Sequence, residues 1–194
     1  MKLLLVRHPP PEIAAGLCYG RLDVPPRADG VRPVAARIVA HGVAHVWTSP
    51  ARRCRAVAEA TGLPMHIDPR LQELDFGAWE GRAWDGIPRA ALDAWAADPE
   101  NFAPPSGESG AGIVARVRGV HAALLAADRD CAVVSHGGPL KLLAALLRGE
   151  APDLLAPAPP IGSVQVILVP YRPLSSASTA HSASTEAAPS TSPV

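Results

Sequence analysis

Two short, almost wholly apolar runs end in histidine, and they constrain this chain more than any other feature. Leu3-Leu4-Leu5-Val6 leads into Arg7-His8, and Ala132-Val133-Val134 leads into Ser135-His136-Gly137-Gly138. Continuous apolar runs without polar alternation read as strands buried on both faces, which is how parallel strands sit when helices cover a sheet. In an open α/β sheet the carboxyl ends of such strands form the crevice where ligands bind. His8 and His136 are therefore expected to touch a ligand.

The rest of the chain repeats the same grammar. Strand patterns near 2–6, 45–48, 65–67, 131–135 and 163–169 alternate with helical patterns near 31–41, 51–61, 88–97, 109–127 and 139–148. That order implies βαβ units with right-handed crossovers, giving a mostly parallel sheet in a three-layer α/β/α sandwich. The last strand is expected at an edge, since Gln165 interrupts it and Pro170 stops it. Ser106 and Ser109 are both candidate N-caps for the long helix that follows them. From residue 173 to 194 the composition turns to Ser, Thr, Ala and Pro. A segment of that kind buries too little apolar surface to offset its ordering entropy, so the domain is read as 1–172 with a disordered tail at 173–194.

Composition narrows the function classes. Lys plus Arg and Asp plus Glu number 18 each, so no global field draws in nucleic acid or an anionic membrane. Arg52, Arg53 and Arg55 form neither a basic stripe nor an aromatic-interleaved platform for nucleic acid. The N-terminus lacks a signal-peptide h-region, and no run approaches the roughly 18 apolar residues of a membrane span, so a cytoplasmic location is expected. Cys18, Cys54 and Cys131 are odd in number, lack CxxC spacing, and are expected to be reduced thiols. His41, His45, His66, His121 and His181 have no metal-ligand constellation around them; no metal and no cofactor is expected.

Four clusters fall at ligand-facing positions of this plan. Arg7-His8 follows the first strand, and Thr48-Ser49-Pro50-Ala51-Arg52-Arg53-Cys54 follows the second and opens a helix. Glu73 lies in Leu71-Gln72-Glu73-Leu74-Asp75-Phe76-Gly77, and His136 follows the fourth strand. Arginine holds phosphate oxygens bidentately, and the helix N-termini beyond the second and fourth strands offer free N–H groups to an anion. The pocket is built for phosphate, with no GxxxxGK[ST] loop to imply a nucleotide.

Together LVRHP, TSPARRC, LQELDFGAWEG, PSGES and VSHGG, in that order across residues 2 to 170, resemble the signatures of the histidine phosphatase superfamily, whose fold is called phosphoglycerate-mutase-like. The resemblance implies that His8 is the nucleophile, that Arg7, Arg53 and His136 surround the phosphate with the amide of Gly137 nearby, and that Glu73 is the general acid. Asp75 and Glu80 are the other carboxylates in that stretch. The chemistry agrees, because phosphoryl transfer asks mainly for positioning and charge neutralisation, and a reused carboxyl serves both steps of covalent catalysis.

The chain departs from the family pattern at Pro9, where glycine usually follows the Arg-His pair; Pro10 and Pro11 continue it. Proline removes an N–H that relatives could offer to phosphate. Gly16-Leu17-Cys18-Tyr19-Gly20-Arg21-Leu22-Asp23-Val24-Pro25 resembles the CYGRxDxP segment of a branch assigned as alpha-ribazole phosphatases of cobalamin synthesis. Tyr19, Gly20 and Arg21 would then bind substrate; the other reading is a tight turn held by Gly20 and an Asp23 cap. Trp79, Trp84 and Trp95 either line the leaving-group side of the pocket or pack the insertion onto the core. The expected activity is metal-independent hydrolysis of a small phosphorylated metabolite, with alpha-ribazole 5′-phosphate the named candidate. The rivals are a phosphoglycerate mutase and a non-catalytic binder of phosphorylated ligands, and the sequence leaves oligomeric state open.

Overall fold

In the computed structural model, which describes residues 1–170, the strands β1 (Lys2–Arg7), β2 (His45–Thr48), β3 (Met65–Ile67), β4 (Cys131–Ser135) and β5 (Val164–Leu168) form one sheet in the order β3-β2-β4-β1-β5. The first four are mutually parallel and β5 runs antiparallel along the β1 edge. The tail expected at 173–194 lies outside the described residues.

Pleating divides the strand residues between two cores. Leu3, Leu5, Cys131 and Val133 face Ile113, Val117, Val120 and Leu124 of α4 (Gly110–Ala127) and Leu140 and Leu143 of α5 (Gly137–Arg148). Leu4, Val6, Val46, Ala132 and Val134 face Val34, Ala35 and Ile38 of α1 (Ala28–Ala40) and Val57 and Ala58 of α2 (Arg52–Ala60). With helices on both faces, the strands lose their polar alternation, which is why they read as continuous apolar runs.

Two helices begin earlier than their sequence pattern. α1 starts at Ala28 rather than 31, with Pro33 in its second turn, and Gly30 leaves room for Pro9, whose Cβ would lie 2.6 Å from a Cβ added there. α5 starts at Gly137 rather than 139, and both of its leading glycines let other side chains approach the helix closely. Ser109, not Ser106, caps α4, accepting from the N–H of Gly112 at 3.2 Å. By length and mean hydropathy of 1.2 the 18-residue α4 would suffice to cross a membrane, contrary to the expectation that no such run exists; in the fold its apolar face is part of the core and Arg116 lies in its middle.

A short helix α3 (Arg89–Ala97) and the loops around it enclose a third cluster, in which Cys18, Trp79 and Ile87 are buried against Phe76, Trp84, Trp95 and Phe102. The rings meet edge to face or stacked at 5.4–6.2 Å, within the favourable range for aromatic pairs. This small core holds the 76–102 insertion over the carboxyl ends of the strands.

Candidate active site

The ladder between β1, β4 and β2 runs one residue past the strands and so aligns the site. The N–H of His8 donates to Ser135 O at 3.1 Å and the N–H of Ser49 donates to Val134 O at 3.0 Å. His8, His136 and Ser49 consequently emerge in one row, with the two imidazoles 5.2 Å apart, edge to face. Both histidines are 1% exposed.

His8 has a defined tautomer. Its Nδ1 lies 2.8 Å from Pro9 O, and a carbonyl only accepts, so Nδ1 carries the proton and Nε2 keeps its lone pair. Burial first, and then the positive charges of Arg53 and Arg7, push its pKa down to about 3, outweighing the opposing pull of the Pro9 carbonyl. The proline that replaces the usual glycine thus loses an N–H yet keeps the carbonyl that orients the ring. His136 is held well below its ordinary value by burial and then by Arg53, and its Nε2 pairs with Ser49 Oγ at 2.8 Å. Cys54 packs against the same ring, its Sγ 3.6 Å from Nε2, and burial pushes that thiol up to about 12, so it stays protonated.

Arg53 is completely buried yet charged, and the loop before α1 accounts for it. Its two terminal nitrogens donate to Gly20 O at 2.6 Å and Leu22 O at 3.0 Å, and its guanidinium lies 5.4 Å from the Tyr19 ring centroid. Arg7 donates to Pro159 O at 2.6 Å. The Nε atoms of both arginines are buried and have no hydrogen-bond partner among the described residues. Unpaired buried donors on two cations beside two neutral imidazoles form a site for an anion.

Glu73 sits across from this row. Its carboxylate accepts from the N–H of Gly138 at 3.1 Å and of Leu74 at 3.0 Å. Arg116 clamps the same loop from behind, donating to the carbonyls of Arg70, Gln72 and Glu73 while paired with Glu108 through Nε–Oε1 at 2.7 Å and Nη2–Oε2 at 2.9 Å. Glu73 lines two cavities. One, of about 180 Å³, is bounded by Gly20, Arg21, Ala51 and His136. The other, of about 360 Å³, is bounded by Tyr19, Phe76, Trp95 and Leu155 among others. A carboxyl on that boundary can pass a proton between groups held on either side.

The remaining expected residues divide. Tyr19 backs Arg53 and lines the larger cavity, and Gly20 gives its carbonyl to Arg53. Arg21 borders the smaller cavity, but its guanidinium pairs with Asp75 and Glu108 at 3.5 Å each. Gly137 packs on Arg7, whose Cζ would be 3.2 Å from an added Cβ. The turn reading also holds in part, since Asp23 caps α2 across space by accepting from Arg52 N at 2.8 Å. Phe76 and Trp95 both pack the insertion and line the larger cavity. Sequence reasoning assigned no role to Ser49, Glu80, Glu108 or Arg116; the first three lay inside quoted motifs, Glu80 and Arg116 act on backbone that is distant in sequence, and Glu108 pairs with the side chains of Arg116 and Arg21.

Known proteins resemble this chain in sequence and in fold. An adenosylcobalamin/alpha-ribazole phosphatase of Salmonella typhimurium is 33% identical over 161 residues, 76% of this chain and 79% of its own. A Yersinia pestis protein named "Probable phosphoglycerate mutase GpmB" is 33% identical over 152 residues, 70% of this chain and 69% of its own. The crystal structure of the alpha-ribazole phosphatase from Shigella flexneri superimposes with a TM-score of 0.70 at 29% identity, covering 77% of this chain and 81% of that one. With the model of the histidine phosphatase superfamily (branch 1) matching residues 3–172, the chain belongs to that superfamily and is an enzyme of the histidine phosphatase type.

Proposed function

We propose that the protein hydrolyses a small phosphate monoester through a phosphohistidine on His8, without a metal ion. The observation that carries this reading is the Nδ1–H bond to Pro9 O, which leaves Nε2 as an unprotonated nucleophile in a row with His136 and within the field of Arg7 and Arg53. In the first step Nε2 forms a bond to phosphorus and the ester P–O bond breaks. Glu73, protonated, delivers its proton to the departing oxygen. The Pro9 carbonyl stabilises the positive charge that develops on the ring, and the arginines neutralise the equatorial oxygens. In the second step the Glu73 carboxylate takes a proton from water, the oxygen attacks phosphorus, and the P–N bond breaks to give inorganic phosphate and neutral His8.

The leaving group would occupy the larger cavity, whose Tyr19, Phe76 and Trp95 suit a flat, largely apolar ring system. Alpha-ribazole 5′-phosphate is the named substrate we favour, supported by the CYGRxDxP segment and by the alpha-ribazole phosphatases among the relatives. The test is hydrolysis of 4-nitrophenyl phosphate and of alpha-ribazole 5′-phosphate with excess chelator, wild type beside His8→Ala. Chelator-resistant turnover that vanishes in His8→Ala is the expected result. Turnover of the aryl ester alone removes the ribazole assignment, and turnover of neither removes the hydrolase reading.

A further inference from the structure

Glu80 makes more backbone contacts than any side chain in the site, although it touches neither histidine. Its carboxylate accepts four N–H groups: Gly20 at 2.8 Å and Leu22 at 3.0 Å on Oε2, Arg21 at 2.9 Å and Phe76 at 3.0 Å on Oε1. Three of these donors are consecutive residues of the loop whose carbonyls hold Arg53. One carboxylate therefore fixes the backbone on the face opposite the guanidinium.

A single peptide unit joins the two charges. The carbonyl of Gly20 accepts from Arg53 at 2.6 Å, and the N–H of the same peptide, that of Arg21, donates to Glu80 at 2.9 Å. In a trans peptide the C=O and N–H point in opposite directions, so Glu80 and Arg53 lie at its two ends, each at the end of the dipole with the sign that attracts it. Hydrogen bonds in such a chain polarise one another and strengthen. Nothing wider than glycine fits at position 20, where a Cβ would come 2.0 Å from Leu74 O and 2.9 Å from Glu80 Oε1. The loop is also anchored on either side, by Cys18 pairing with Arg82 and Gly81 through the backbone and by Asp23 on the N-terminus of α2.

We propose that Glu80 is a positioning residue for Arg53: through the Gly20–Arg21 peptide its carboxylate sets where the guanidinium meets the phosphoryl group. Burial leaves Arg53 no solvent with which to reorient, and its Nε has no partner among the described residues, so its only hydrogen bonds there are to the two carbonyls, with the Tyr19 ring behind the guanidinium. Glu80 thus acts on the phosphate without touching it, and the acid of the reaction remains Glu73. This inference rests on the phosphate-binding reading of Arg53.

A double-mutant cycle separates the two ideas. Glu80→Gln keeps the shape but replaces one acceptor oxygen with a donor, and a misplacement of about 1 Å costs on the order of 10²-fold, so kcat/KM for 4-nitrophenyl phosphate should fall by about that factor. Inhibition by inorganic phosphate should weaken in parallel. In an Arg53→Ala background the same Glu80→Gln change should have almost no further effect, because the residue it acts through is gone. Equal losses in both backgrounds, or no loss in wild type, would overturn the proposal. If Arg53→Ala itself leaves kcat/KM and phosphate inhibition unchanged, the phosphate-binding reading of Arg53 fails first. Circular dichroism reports whether Glu80→Gln folds; if it does not, Glu80→Asp, with both oxygens on a shorter stem, goes through the same cycle with the same expected coupling.

Discussion

The carboxylate of Glu73 rests on the N–H of Gly138, 3.1 Å away, at a point where a Cβ on that glycine would lie 2.3 Å from Glu73 Oε1. The second residue of α5 is therefore glycine to admit the carboxyl group. Gly138→Ala should raise helix propensity by up to about 1 kcal/mol while pushing Glu73 out of place. With Glu73 as the proposed proton donor, its displacement predicts a fall in kcat on the order of 10²-fold with little change in thermal midpoint. Glu73→Gln, which keeps the shape and one of the two N–H bonds but holds no transferable acidic proton, should cost about 10²–10⁴-fold. Both losses should be smaller for 4-nitrophenyl phosphate, whose leaving group barely needs a proton, than for an alkyl phosphate. Steady-state kinetics on the two esters checks this, and equal losses on both would remove Glu73 as the acid.

Acid sensitivity follows from the buried histidines. The folded state holds His8 near a pKa of about 3 against an ordinary 6.5, and His136 is lowered as well. Because the unfolded chain takes up these protons first, stability is fully present above about 6.5 and is lost as pH falls from there toward about 3. Each histidine contributes up to about 1.4 kcal/mol per pH unit in that window. Thermal midpoints should drop between pH 7 and pH 4.5, and His8→Asn should flatten the drop. An equally steep fall in the variant would show that other groups govern it.

The strand ends were legible because their information is local: an apolar run, then Arg7-His8 or Ser135-His136, states both burial and position in a few residues. The same holds for Arg53, whose place two residues into α2 turns it inward while Arg52 and Arg55 stay exposed. The supports of these residues were not legible. Arg116 reaches Glu73 across 43 positions and Glu80 reaches Gly20 across 60, and no periodicity records such pairings. Gly137 and Gly138 fell outside the helical pattern near 139–148, glycine being a poor helix former, whereas their lack of side chains makes room for Arg7 and Glu73. Arg21 carries the charge expected of a phosphate ligand, but only the fold reveals Asp75 and Glu108 beside it.

Pro9 offers a prediction with opposite signs for two neighbours. The site uses its carbonyl, which any residue has, so Pro9→Gly should leave turnover intact. Freeing the unfolded chain should lower stability by about 0.4–1 kcal/mol. Gly30→Ala should do the reverse, gaining helix propensity while a Cβ 2.6 Å from Pro9 Cβ shifts the segment that orients His8. Thermal melts paired with kcat for both variants check this; loss of turnover in Pro9→Gly would mean that the ring stiffness, rather than the carbonyl, sets the nucleophile.

The larger cavity makes the last prediction. Trp95 stacks within the insertion, 5.7 Å from Phe76 and 6.2 Å from Trp84, and also walls the space beside Glu73. Trp95→Ala should remove an aromatic contact worth about 0.5–1.5 kcal/mol, lowering kcat/KM for a ring-bearing phosphate up to about tenfold. Inorganic phosphate lacks a leaving group and, on the proposed reading, fills only the His8 side, so its inhibition constant should stay unchanged. The ratio of the two effects is the readout: loss confined to ring-bearing esters assigns the cavity to the leaving group. A matching loss of phosphate inhibition would instead mean that Trp95 only holds the insertion, through which Glu80 and the Arg53 loop are supported.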